Sequence, residues 1–125
     1  MAIARAEMDA ALTARFVPEL RNAGFSGSYP HFRRVGQKYI EIIGIQFSQW
    51  GAQFYVELGL GSKSGELIMD GILVPPNKLK HYHAGKRQRV GALPFDYESA
   101  SVESVAASAT TTMEQIDNWF RTHGT

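Results

Sequence analysis

The sequence sets His81 and His83 on either side of Tyr82. Two residues apart on a strand, side chains point the same way, so this spacing would offer two imidazoles to one metal ion. A working site needs a third and usually a fourth ligand, which only distant carboxylates or His31 could supply. The surrounding residues are Lys78, Lys80, Lys86, Arg87 and Arg89, which repel a cation. We therefore expect a solvated loop, with no metal and no cofactor. The chain has no cysteine, which excludes disulfide frameworks, thiolate-held zinc or iron–sulfur sites, and thiol nucleophiles.

Those lysines and arginines form a second pattern. Residues 71–95 contain Lys78, Lys80, Lys86, Arg87 and Arg89 and no acid, whereas residues 96–125 contain five acids and one base, Arg121. The first seventy residues balance, seven against seven, so the net charge of +1 conceals a basic loop and an acidic tail. A basic segment suits an anion: a phosphate, a nucleic acid or an acidic protein. It also suits an internal partner, since opposite charges close in sequence tend to meet. On that reading the loop docks on the acidic C-terminal helix. Trp50 lies in a turn beside Gly51 and is expected to stay partly exposed, the best single contact residue. Tyr29, Phe32, Tyr39, Phe47, Phe54 and Tyr55 lie on or beside three strands. Such a face can stack bases, but there is no motif of the RNA-binding sheets, and most of these rings are expected in the core.

Acid–base chemistry has one candidate. Glu41 and Glu57 fall on neighbouring strands; facing one another, one would have a raised pKa, a general-acid signature. The alternative is that they are exposed cross-strand partners of Arg33 or Arg34. Gly59–Gly65 invites a phosphate-loop reading and fails it, because the spacing before Lys63-Ser64 is wrong and no helix pattern follows. It reads as a flexible turn. There is no G-x-S-x-G and no H-E-x-x-H. The balance leans away from an enzyme.

The elements that must carry these residues follow from periodicity. Met8, Leu12, Phe16 and Leu20 recur every four residues and predict an N-terminal helix, ended by Gly24 with Phe25 in a Schellman position. Pro18 predicts a kink or a new turn within it. Strands are predicted at Tyr29–Val35, Lys38–Ser48 and Gln53–Leu60, with a short one within 68–74 and a last one at 89–93. The second has apolar residues on both faces, so it is expected to be central. Val102, Val105, Ala109, Met113, Ile116 and Phe120 predict a helical C-terminal third, with a capping box at Thr111-x-x-Glu114. The order predicts one α+β domain over 1–125: an antiparallel meander of about four strands with N- and C-terminal helices on one face.

These residues resemble a known family. Gly24-Phe25, His31–Arg34, Ile43–Ser48 followed by Phe54–Gly59, then Arg87–Leu93 and Trp119-Phe120, are similar to the bacterial DUF4304 family, strongly over roughly 12–95. The resemblance implies a small α+β domain of bacterial origin and brings no catalytic residues. The function expected first is a non-enzymatic module that binds another protein, in the manner of an immunity or accessory protein, through Trp50 and the basic segment. The alternatives are a nucleic-acid or phosphometabolite binder using residues 78–89, and a small enzyme with a His/Glu pocket. No run reaches the ~20 apolar residues of a membrane span, and acids interrupt the N-terminus early. A cytoplasmic protein without a membrane partner is expected; the sequence leaves the oligomeric state open.

Overall fold

The computed structural model describes residues 2–91 and 93–125. Helix α1 runs from Ala2 to Asn22 as one element that includes Pro18. Of the two expectations at Pro18, the new turn is not adopted: the helix continues through it, and exposure gives the reason. Pro18 and Ala14 both face solvent, so water can satisfy the Ala14 carbonyl that the missing N–H leaves free. The helix ends as its sequence predicts. Gly24 takes φ 96, Phe25 N–H donates to the Leu20 carbonyl and Gly24 N–H to that of Arg21, both at 3.0 Å. This is the Schellman pair, with Phe25 buried behind it.

Strands β1 (His31–Val35), β2 (Tyr39–Phe47) and β3 (Gln53–Ser62) form an antiparallel meander. The chain then makes a small ribbon from β4 (Glu66–Leu67) and β5 (Leu73–Val74). It returns to the main sheet as β6 (Lys86–Arg89), which pairs with β3, and β7 (Phe95–Asp96), which pairs with the start of β3. The strand order is β1-β2-β3-β6. The strand predicted at 89–93 thus lies at 86–89, with β7 following at 95–96, and Ala92 of that prediction lies outside the described residues. Helices α2 (Val102–Thr110) and α3 (Met113–His123) complete the fold. A new helix does begin after Thr111, but no capping box forms. Thr112 takes the cap position without a side-chain bond, and Thr111 Oγ1 donates back to the Ser108 carbonyl at 2.7 Å.

Register divides the sheet into two unlike faces. Phe32, Ile43, Ile45, Phe54, Val56, Leu58 and Leu60 share one face and form the core with Leu12, Phe16 and Leu20 of α1 and Ile116 and Phe120 of α3. The helices therefore lie on one side, as the α+β class requires. Arg34 ties the layers together: its Nε donates to Glu41 at 2.7 Å, its Nη1 to the Ala23 carbonyl at 2.6 Å, and Asp117 of α3 lies 3.9 Å away. Glu41 pairs with Leu60, while Glu57 pairs with Gly44. The two carboxylates therefore point to opposite faces, and the predicted general-acid pair is corrected. Each has its own arginine, Arg34 for Glu41 and Arg89 for Glu57.

Candidate functional site

The helix-free face carries the features sequence reasoning singled out. Register lines up His31, Gly44, Glu57 and Arg89 in one row across β1, β2, β3 and β6. The neighbouring row is Arg33, Ile42, Gly59 and Arg87. In each row one glycine leaves a vacancy, and the 79–84 segment fills it. A side chain at Gly44 would meet the His81 ring, one at Gly59 would meet Ala84 at 2.7 Å, and one at Gly61 would meet Leu79 at 2.7 Å. Leu79 and Ala84 join Ile40 and Ile42 in a second apolar cluster, and Arg33 Nη1 donates to the Leu79 carbonyl at 3.2 Å. The basic segment is thus seated on the sheet, not on the acidic helix. The acids of that tail look elsewhere, Glu103 to Arg15 at 2.7 Å and Asp117 to Arg34.

His81, Tyr82 and His83 form a single 3-10 turn. The strand spacing that would turn both imidazoles the same way is not adopted, and the expected solvated loop is corrected at His81, which the sheet buries. His81 is 2% exposed. Its Nε2 lies 3.3 Å from Gln46 Oε1, which assigns the proton to Nε2 and leaves Nδ1 bare and unpartnered over Gly44. The ring stacks on His31, centroids 5.9 Å apart, and His31 Nδ1 is unpartnered too. His83 Nδ1 instead accepts from the Lys80 N–H at 3.0 Å. Burial, then the adjacent Lys80, pushes the His31 pKa down to about 4. Burial lowers His81 as well, against an opposing pull from Glu57, and burial and Lys80 lower His83. All three rings are neutral at pH 7, so the fixed positive charge here comes from Arg33, Lys80, Arg87 and Arg89. Among the described residues no group of three or more His, Asp or Glu side chains is arranged to hold a metal ion.

The other predicted residues divide between two ends of this face. Lys80, His81 and His83 gather round His31, and Arg87 faces His81. Lys78 stands exposed in the turn at Pro76–Lys78, where Pro76 and Asn77 border a cleft shared with Val35 and Ile40. Arg87 and Arg89 are exposed on β6 on this face, whereas Lys86, also exposed, pairs with Leu60 and belongs to the helix side of the same edge. Arg89 lies over the Tyr55 ring at 3.8 Å, and its Nε reaches both Glu57 oxygens at 3.2 and 3.3 Å. Trp50 tips the β2–β3 hairpin, 90% exposed. It stands between a cleft of about 420 Å³, walled by Gln46, Tyr55 and Arg89, and another of about 580 Å³, walled by Arg5, Tyr97 and Glu98. Because it packs on little, Trp50→Ala is expected to leave the unfolding free energy within about 0.5 kcal/mol of wild type in a urea titration. A larger loss would make Trp50 a packing residue.

Gly44 and Gln46 are the members of this site that sequence reasoning did not join to it. Their signal was available in part: a glycine inside a strand marks close approach by another segment, and Gly44 and Gly59 fall within predicted strands, whereas Gly61 was read as a turn and lies in β3, which runs on to Ser62.

An antiparallel sheet with helices on one face and a glycine-seated loop on the other is an α+β domain. Within that class the chain belongs to the family described as a domain of unknown function, DUF4304, whose model matches residues 16–125. No curated protein and no solved structure matches the chain. Among the described residues no helix is long and apolar enough to cross a membrane.

Proposed function

We propose that the protein is a non-enzymatic module that binds an acidic partner protein along the basic β6 edge and the adjoining helix-free side of its sheet, as an immunity or accessory protein would. One observation carries the reading. Lys78, Lys86 and Arg87 are exposed, and none takes part in an ion pair among the described residues. Folding does not use their charge, so it is free for a partner. The enzyme reading loses support because His81 is shut beneath its own turn, with its bare nitrogen against the sheet. The same proposal keeps the protein in the cytoplasm, which cell fractionation tests.

Charge reversal tests the module. Lys86→Glu with Arg87→Glu is expected to leave stability within about 0.5 kcal/mol, since neither side chain has an internal partner. The variant should lose partners captured by the wild-type protein, and capture should weaken as salt screens exposed charges within ~10 Å at 0.1 M. A stability loss above about 1 kcal/mol would make the two residues structural. Capture indifferent to both salt and reversal would place the binding surface elsewhere.

A further inference from the structure

The two edges of the main sheet are treated differently. Beside β1 the chain covers itself: Ser26 and Arg33 exchange two backbone hydrogen bonds at 2.8 Å, and His31 N–H donates to the Ser28 carbonyl at 2.8 Å. Beyond β6 no strand pairs among the described residues. Val90 N–H donates to the Val56 carbonyl at 2.9 Å. Antiparallel alternation then turns the even positions of β6 toward β3 and the odd ones outward. Arg87 and Arg89 therefore present backbone N–H and C=O groups to solvent; among the described residues the Arg89 carbonyl is met only by the Gln88 side chain, at 3.1 Å.

We propose that this open edge accepts an extended acidic segment of the partner protein as an added strand, with the Arg87 and Arg89 backbone supplying the hydrogen bonds and Lys86 and Arg87 selecting its charge. The proposal rests on the binding reading above and adds its geometry. Three observations choose the occupant. The edge offers alternating donors and acceptors, which a second strand satisfies completely; a phosphate backbone brings acceptors and would leave the carbonyls unpaired. All four side chains of β6 are exposed and three are cationic. A second copy of this edge would meet like charges directly across the ladder, which is how natural sheets avoid pairing with themselves. Leu93, in the link to β7, is 78% exposed and offers an apolar neighbour for a residue beyond the paired stretch.

The test uses the full chain and an eight-residue peptide of alternating Glu and Val, blocked at both ends. A copy N-methylated at every second residue keeps the charge and removes outward-facing donors. The unmodified peptide should bind and slow amide exchange at Arg87 and Arg89 by about tenfold or more, and the methylated copy should bind about tenfold more weakly. Equal, salt-sensitive binding of both peptides, without protection of those amides, would overturn strand addition while leaving the acidic-partner reading standing. No binding of either peptide, or binding of a single-stranded oligonucleotide in their place, would overturn both.

Discussion

Gly44→Val is expected to pry the 79–84 segment off the sheet and to cost about 3 kcal/mol, the upper end of what overpacking a core usually costs. Strand propensity alone predicts the reverse, since valine suits a central strand better than glycine does. The decision lies in the space above Gly44. An added Cβ there overlaps His81 Nδ1 and stands 2.8 and 2.9 Å from Cε1 and Cγ of the same ring. His81 has no room to yield, being stacked on His31 and bonded to Gln46. The clash belongs to one pair, so the loss should be relieved when the ring is removed. Gly44→Val with His81→Ala should show a coupling above about 1 kcal/mol in a double-mutant cycle. A Gly44→Val protein that melts at or above the wild-type temperature would refute the seating of the loop.

The helices and the meander were legible because their signals are local. The four-residue stripe in α1, the Gly24-Phe25 ending and the alternation in β3 each lie within a few residues. Pro18 left two readings open because the cost of a helical proline depends on which side of the helix its missing bond faces, and that is a tertiary fact. Glu41 and Glu57 misled for a similar reason. Both are odd-numbered, but the β2–β3 turn pairs Phe47 with Phe54, so odd positions of β2 share a face with even positions of β3. The path of the basic segment was hidden most deeply. Charge suggested the acidic helix, yet Coulomb attraction between exposed groups is worth about 1 kcal/mol or less. Burying Leu79 and Ala84 against Ile40 and Ile42 while filling three glycine vacancies gains more. The apolar residues on both faces of β2 already required a second cover, and the strand glycines marked where it would lie.

Acidification should weaken the same seat. The groups facing His31 are His81, Lys80, Arg33 and His83; those facing His81 are Glu57, Arg87, His83 and Gln46. Charging either ring adds a cation to a set in which Glu57 is the one acid, and Glu57 is held by Arg89. His31 falls from 6.5 to about 4 on folding, so between those values the unfolded chain binds the proton and the folded chain does not. Stability is therefore complete above pH 6.5 and declines as the pH drops toward 4. At 1.36 kcal/mol per pH unit the fully buried limit between pH 7 and 5 is about 2 kcal/mol. His31 is only partly buried, and solvent screening reduces its share to about 1 kcal/mol. Urea unfolding of wild type and His31→Gln at pH 7 and pH 5 separates this from other titrations. The wild type should lose about 1 kcal/mol more than the variant over that interval, and amide exchange in 79–84 should quicken before exchange in β2 does. Equal losses in the two proteins would mean that His31 is not the group whose protonation strains the loop, and exchange that quickens uniformly would mean that the loop and sheet open as one unit.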